Sequence, residues 1–341
     1  MSTEEIGAFL DLPPRTVRYR LQRLRETGVL KSTRVVAIER KLGLGECIFL
    51  VDATAHGAEV LPEVFQSIDT IYHNSPTYGK YNGFIGYSLY SLSSTTITDR
   101  ILEDLRKFEL ISDFFIFHII DFDVKFADYH DFNPAFGWTW DWSEWRDKIP
   151  KTLKSKKKFA LPMDEVQPLV DFDSIDVAIL RHLFDDGDIT QRKLAEVLSL
   201  SEAQVNKRIR RLEDEGIIKG YRSVVNTSAN EMSIICFIIL EEPQDQLLSV
   251  FYQLPFPATI TMNSRTRFAI QLSLNSQDMT GFLQGLDVLR PHLDSCFVQT
   301  LHDARMSIDS HPYDLYNEKT NRWETPESVY LQDIRNVMER K

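Results

Sequence analysis

The sequence predicts an α+β protein built from two winged helix-turn-helix heads, the first lacking its first helix, each followed by a ferredoxin-like βαββαβ domain. Three observations predict it. Ile6, Leu10, Leu12, Val17, Arg20, Leu21, Leu24, Gly28, Leu30 and Lys31 recur 188 residues later as Leu194, Leu198, Leu200, Val205, Arg208, Ile209, Leu212, Gly216, Ile218 and Lys219. Matches spaced at one constant offset mark a duplication. Within each copy the apolar pattern changes from helical spacing to β-rich runs. Finally, 341 residues that are 43% hydrophobic suit two to three domains of roughly 150 residues with ordinary buried cores.

The second copy shows the whole unit. Ile175, Ile179, Leu180 and Leu183 share one face of a helix over Phe172–Phe184, and Gly187 in Asp185-Asp186-Gly187-Asp188 is read as its left-handed stop. Thr190 caps a second helix to Leu198, and Ser201 caps a third over Glu202–Glu215, stopped by Gly216. Ile217–Val225 is rich in β-branched residues and reads as the two strands of a small wing. Beyond it come a strand at Met232–Leu240, a helix near Gln244–Gln253, strands at Ala258–Asn263 and Arg267–Leu274, a helix near Ser276–Leu289 and a strand at Ser295–Leu301. That order is βαββαβ.

The first copy repeats it, with Glu46–Val51 (ECIFLV) aligned to Ile234–Ile239 (IICFII) and the offset then drifting to near 182. Its elements are a strand at Glu46–Ala53, a helix at Glu59–Ile68, strands at Thr70–Asn74 and Gly83–Leu89, a helix at Thr96–Phe108 and a strand at Phe114–Asp121. Met1 aligns with Ile189, so no counterpart of Phe172–Phe184 is present: another segment completes that head, or the true start lies upstream. The expected domains are residues 1–40 (incomplete head), 45–125 (βαββαβ), 126–170 (Trp-rich extension and basic linker), 171–229 (head), 230–305 (βαββαβ) and 306–341 (C-terminal extension).

Composition removes several classes. With 39 Lys+Arg against 50 Asp+Glu the net charge is −11, so the overall field cannot hold a polyanion and any such binding is local. Cys47, Cys236 and Cys296 lie far apart, without the spacing of a disulfide framework or a zinc site. No window has 18 consecutive apolar residues, and Met1-Ser2-Thr3-Glu4-Glu5 is acidic where a secretory leader is basic. A cytoplasmic protein without membrane contact is expected. No Gly-rich phosphate loop, H-E-x-x-H or G-x-S-x-G motif occurs, and the eight histidines lack ligand spacing. No catalytic residue, metal or cofactor is expected.

Asp173-Ser-Ile-Asp176, Ile179-Leu180, Leu194-Ala195, Ser201 with Val205, Arg208-Ile209, Leu212-Glu213 and Gly216-Ile217-Ile218-Lys219-Gly220-Tyr221 resemble the Lrp/AsnC (feast/famine) transcription regulators. The likeness covers roughly residues 171 to 302 and, more loosely, 2 to 122, so the chain looks like a tandem of a unit that is usually single. The resemblance implies a double-stranded DNA partner, a small-molecule effector such as an amino acid, and dimerisation through the sheets. Here that pairing is expected within one chain, as a pseudo-dimer, or with a second copy.

With Val205, Ile209 and Leu212 as the buried line of the third helix, a 100° step per residue turns Ala203, Asn206, Lys207, Arg210, Arg211 and the acidic Asp214 outward, with Ser201 at its start; Asp214 apart, these are the candidates of the second copy. The first copy offers Arg15, Arg18, Tyr19, Gln22 and Arg23, with Pro14 in the first turn. These are the candidate DNA-binding residues, whereas Arg20 and Arg208 border the buried line and suit pairing with an internal carboxylate. Residues 1–40 and 189–229 each hold eight Lys/Arg and five acids, a net +3 on an otherwise acidic chain. Cations over phosphates and a helix that fits the major groove are what DNA binding requires. The two sets differ, so two different half-sites are expected.

Gly79, Tyr81 and Asn82 fall on a Gly-x-Tyr-Asp-like turn, where the resemblance implies an effector site. The equivalent Asn263–Phe268 lacks both the Gly and the Tyr, and Gly79 and Gly83 also suit a tight hairpin. Trp138, Trp140, Trp142 and Trp145 suggest a segment laid over the sheet or helices, or a partner surface. Lys148–Lys158 reads as a solvated tether or a basic arm, and Pro326–Lys341, with Val329, Ile334 and Val337 on one face, as a docking helix. Two alternatives share the fold. One is a tetrapyrrole enzyme resembling siroheme decarboxylases, using His73 and Lys80 or Arg265 and Arg267; the other is a protein-binding scaffold.

Overall fold

The computed structural model describes residues 3–128, 130, 132–133, 137–225, 231–302, 312–324 and 330–340. The first half runs through α1 (Thr3–Leu10), α2 (Pro14–Glu26), β1 (Leu30–Ala37), β2 (Leu44–Ala53), α3 (Ala55–Ser67), β3 (Ile71–Gly79), β4 (Gly83–Ser91), α4 (Ile97–Lys107), β5 (Ile111–Ile119) and β6 (Asp121–Lys125). A small hairpin, β7 (Phe132–Asn133) and β8 (Gly137–Trp138), leads to α5 (Trp142–Leu153). The second half has α6 (Ser174–Asp185), α7 (Gln191–Leu198), α8 (Glu202–Asp214), β9 (Ile218–Val225), β10 (Glu231–Ile239), α9 (Asp245–Tyr252), β11 (Ala258–Ser264), β12 (Arg267–Asn275), α10 (Met279–Leu289) and β13 (Ser295–Leu301). The hairpin β14 (Tyr316–Asn317) and β15 (Arg322–Trp323) precedes α11 (Tyr330–Arg340). Packing divides the chain into two compact units, residues 1–38 with 171–229, and 39–170 with 230–341.

In the first unit α1, α2 and β1 begin and end 188 residues before α7, α8 and β9. Gly28 and Gly216, at φ 71° and 65°, let the chain leave α2 and α8 in the left-handed region that a side chain resists. The expected two-stranded wing is not formed. Each head supplies one unbroken strand, and β1 pairs antiparallel with β9 of the other head. Eight extended residues hold no reverse turn, so the partner comes from the duplicate. Arg34 stands opposite Arg222, its own repeat counterpart, with Thr33 opposite Ser223 and Val35 opposite Tyr221. An antiparallel register centred on equivalent residues places a local two-fold axis between the heads.

α6 completes the second head. Asp173 and Asp176 form a capping box at its N-terminus, and Val177, Ile179, Leu180 and Leu183 are buried. Gly187 is not left-handed, contrary to the sequence reading. Its N–H donates to Thr33 O at 2.8 Å, and a Cβ there would stand 3.1 Å from the Thr33 carbonyl, so the small residue serves a close approach of α6's end to β1.

The second unit holds both βαββαβ domains in one nine-stranded sheet, ordered β5-β2-β4-β3-β13-β10-β12-β11-β6. Each half contributes the 4-1-3-2 strand order of the split βαβ fold. Leu301 at the end of β13 pairs with Thr77 on β3, and β6, which continues β5, pairs with β11. The fourth strand of each half therefore runs on to pair with the second strand of the other. Strands β2 and β10 are buried on both faces, which is why ECIFLV and IICFII are unbroken apolar runs. Cys47, Phe49 and Val51 face α3 and α4, while Ile48 and Leu50 meet Ile235 and Phe237 across a shared inter-sheet core. There Phe237 stacks on Phe297 at 4.9 Å and meets Phe115 edge-on at 5.2 Å, contacts worth about 0.5–1.5 kcal/mol each beyond burial.

The extensions cross over. α5, which follows the first half, lies on α9 and α10 of the second. Trp145 is buried and donates to Val250 O at 3.1 Å; Trp142 donates to Asp278 Oδ1 at 2.7 Å and stacks on Phe256. A Cβ on Gly285 would stand 2.0 Å from the Trp145 ring. The basic stretch is not a tether at its start, because Lys148–Leu153 belongs to α5 and Phe159 packs on Tyr252 at 5.0 Å. Conversely, α11 docks Ile334 and Val337 against the α3–α4 side of the first half. Val329, expected on that face, lies outside the described residues.

Candidate nucleic-acid interface

Local chemistry starts both candidate helices. Ser201 Oγ accepts the Gln204 N–H while Gln204 Oε1 accepts the Ser201 N–H at 2.9 Å, a reciprocal cap. In the first head Pro13 and Pro14 take over, since a proline at the first turn removes an N–H that has no helical partner. Val17 and Val205 turn inward. On the opposite side run Arg15, Arg18, Tyr19 and Gln22 in one head and Ala203, Asn206, Lys207 and Arg210 in the other, position for position. All are exposed except Asn206, which is half-buried.

Tethers to the preceding helix are also repeated. Arg18 reaches Thr3 Oγ1 at 3.5 Å and Glu4 at 3.6 Å, and Asn206 donates to Gln191 Oε1 at 3.1 Å, with Thr3 and Gln191 at equivalent positions. Gln22 donates to Glu26 at 2.8 Å. Among the described residues, Arg15, Tyr19, Lys207 and Arg210 have no hydrogen-bond or ionic partner, and none bonds the Arg23 side chain either. These side chains can meet a phosphate or base without first breaking a contact.

Arg211 is placed differently from the sequence reading. Its guanidinium pairs with Asp176, which is 1% exposed, and donates to Asp171 O at 3.2 Å. Arg208 bridges Asp173 and Asp176 at 2.9 Å each, as its place beside the buried line suggests. Burial disfavours ionising Asp173, but bonds from Arg208 and the Asp176 N–H outweigh it and lower the pKa. Arg211 is thus an internal tie between α8 and α6, caused by a buried carboxylate that needs compensation. The Asp173/Asp176 spacing in the sequence was the signal for it.

The expected effector turn is closed from within. Gln299, fully buried, accepts the Tyr81 N–H at 3.1 Å and donates to Tyr81 O at 2.8 Å and Thr77 Oγ1 at 3.1 Å. The Tyr81 ring is a core residue against Phe115 and Phe297 rather than a lining group. A Cβ on Gly79 would stand 2.4 Å from the Gln299 side-chain oxygen, which gives that glycine a packing reason. Asn82 donates its N–H to Asp52 at 2.5 Å. Nothing in the order of residues linked Gln299 to a turn more than 200 positions away.

Three of the four residues of the enzyme alternative have structural neighbours, Arg267 being the exception among the described residues. Arg265 pairs with Asp245 at 2.5 Å, the Lys80 ammonium lies 4.7 Å over the Phe297 ring, and His73 is buried beside Tyr87. No group of three His, Cys, Asp or Glu suited to a metal occurs among the described residues, and no helix there is long and apolar enough to cross a membrane.

Residues 172–219 match the winged helix-turn-helix DNA-binding family model. The chain is 40% identical over 84 residues to the leucine-responsive regulatory protein of Rhizobium meliloti, covering 24% of this chain and 54% of that protein. It is 28% identical over 127 residues to the HTH-type transcriptional regulator FL11 of Pyrococcus furiosus, 34% of this chain and 83% of that protein. The chain spans about half the length of several curated relatives it matches. Among solved structures, the siroheme decarboxylase NirDL in complex with an iron-uroporphyrin III analogue superposes with a TM-score of 0.50 at 11% identity, covering 98% of this chain and 93% of that one. At that identity the likeness speaks for the fold alone. Family model and relatives agree in what the chain is similar to, Lrp-type transcription regulators, with the winged helix-turn-helix match lying in the second copy.

Proposed function

We propose that the protein is a sequence-specific DNA-binding transcription regulator in which one chain supplies both reading heads. The observation that supports this most is the β1–β9 register centred on Arg34 and Arg222. It relates α2 and α8 by a local two-fold axis, the symmetry that paired half-sites demand. The two exposed stripes differ at each position, Arg15/Ala203, Arg18/Asn206, Tyr19/Lys207 and Gln22/Arg210, so the preferred site is an imperfect palindrome. Arg23 takes part only as a phosphate contact, because its repeat counterpart Arg211 faces α6. The sheets already pair within the chain, so a monomer suffices for one operator.

Footprinting and gel-shift titration on the region upstream of the protein's own gene test this. Affinity falls steeply with salt, because phosphate contacts release counterions. Arg18→Ala and Arg210→Ala each change preference in a different half-site. Unchanged footprints in both variants overturn the assignment. Purified protein that carries a tetrapyrrole colour and shows no salt-dependent DNA binding supports the enzyme alternative instead. An effector remains part of this reading only at a place other than the Gln299-filled turn, and thermal-shift titration with the free amino acids finds or refutes it.

A further inference from the structure

Beside the β1–β9 ribbon, the end of α6 and the turn after it sit against the first head. The Arg34 guanidinium stands 5.5 Å over the Phe184 ring, and the Gly187 N–H donates to Thr33 O at 2.8 Å. Asp188 completes this seat. Its Oδ2 accepts Thr33 Oγ1 at 3.0 Å and the Arg25 guanidinium at 2.7 Å, while its own N–H donates to Asp186 Oδ1 at 3.0 Å. Arg25 lies in the last turn of α2, and Asp188 stands just before Thr190, the cap of α7. One carboxylate thus ties the end of one candidate reading helix to the entry of the other helix-turn-helix. The repeat does not return the contact: Glu213 is the counterpart of Arg25 and Tyr221 of Thr33, and an ionised carboxylate at the place of Arg25 has no proton to donate.

We propose that Asp188 is a positioning residue that sets the angle of α2 against α8, and through it the separation of the two half-sites that the chain accepts. This rests on the proposed reading of DNA by both heads. The β1–β9 pairing leaves that angle open, because a two-stranded ribbon twists over a wide range. An exposed ion pair alone holds little, and Arg25 and Asp188 are each about half exposed. Here the same carboxylate also takes a hydroxyl, next to a glycine whose Cβ would stand 3.1 Å from the Thr33 carbonyl. Asp188 therefore acts through Arg25 and Thr33, without itself reading a base.

A pool of duplexes with a randomised core, selected on the full-length chain and sequenced, is the probe. The unchanged chain is expected to enrich paired half-sites at one separation. Asp188→Arg sets a second cation against Arg25; it is expected to enrich the same half-sites with discrimination between separations reduced about threefold or more. Arg25→Asp/Asp188→Arg rebuilds the pair in reverse and restores the discrimination. Both positions are exposed, and circular dichroism confirms that the variants stay folded. Nitroxides on keto side chains placed at Tyr19 and Lys207 read the same angle without DNA by electron–electron resonance: one narrow distance distribution in the unchanged chain, a shifted or broader one in Asp188→Arg. An unchanged separation preference in Asp188→Arg, an unchanged distance distribution, or no recovery in the double variant overturns the proposal while leaving DNA reading intact. A pool from which the unchanged chain enriches nothing removes DNA reading first, and this inference with it.

Discussion

The two heads share a backbone plan and differ in what covers it. α1, α2 and β1 reproduce α7, α8 and β9 residue for residue in length, yet among the described residues only the second head has an apolar helix over its buried line and a carboxylate pair under its arginines. Helix boundaries therefore depend on local sequence, a reciprocal cap at the start of α8, prolines at the start of α2 and a glycine stop after each. Burial depends on a neighbour, which among the described residues the second copy alone has. The same residue type at the same helical position is core in one head and surface in the other, as Leu212 and Leu24 show.

The largest expected break in this comparison comes from the ion cluster. Arg208→Ala strands the buried Asp176 beside a single remaining arginine and is expected to cost about 3–5 kcal/mol. Arg20→Ala, at the matching exposed position, is expected to cost under about 0.5 kcal/mol. Urea denaturation of the full chain, with hydrogen exchange to locate the loss, measures both. Equal costs erase the distinction between the heads.

Next in size are the leucines. Leu212→Ala removes a fully buried side chain, and a loss of about 2–5 kcal/mol is expected; Leu24→Ala is expected to stay below about 1 kcal/mol. Differential scanning calorimetry reads the pair. A comparable shift in both variants means that a neighbour covers Leu24 in solution.

The stripes proposed to read DNA sharpen the contrast through binding. Removing a side chain that contacts a base edge costs about 1–3 kcal/mol of discrimination, so Arg210→Ala and Arg18→Ala are each expected to weaken the preferred duplex by roughly 5- to 150-fold. Each loss should map to its own half-site in footprints. Identical footprints from both variants make the heads interchangeable.

Acid separates the heads by a smaller amount. Asp173 holds its proton less readily in the folded chain than in the unfolded one, so the unfolded state binds more protons as pH falls. The stability it contributes is present above the ordinary carboxylate range and is lost as pH drops through its lowered folded value. Hydrogen exchange below about pH 4 should loosen α6 and α8 before α2. The reverse order excludes the ion cluster as the acid-sensitive part. Smallest and most alike are the helix stops: Gly28→Ala and Gly216→Ala, both at positive φ, are each expected to cost about 1 kcal/mol, the same in either head because the strain is in the backbone alone.

Much of this was legible in the residues. The 188-residue offset, the βαββαβ order, the βαββαβ helices to within a few residues and, Arg211 apart, the outward stripes of α2 and α8 follow from period and caps. The partners did not. The wing residues Ile217–Val225 read as a local pair of strands, and Lys148–Lys158 as a tether, because neither reading includes a distant segment that offers a hydrogen-bonding edge or an apolar groove. Gln299 at the Gly79–Gly83 turn and Trp145 against Gly285 belong to the same class.

What the sequence by itself determined is therefore the inventory: which segments are helix or strand, which face of each is apolar, and that the unit occurs twice apart from the helix over Phe172–Phe184. Period, caps and glycine stops act within about one turn of chain, so they are written locally. Tertiary structure decided the pairings, β1 with β9, the fourth strand of each half with the second strand of the other, and each extension on the opposite half. Those choices rest on shape and hydrogen-bonding complementarity between residues far apart in the chain, and no local pattern encodes which of two equivalent copies will satisfy them.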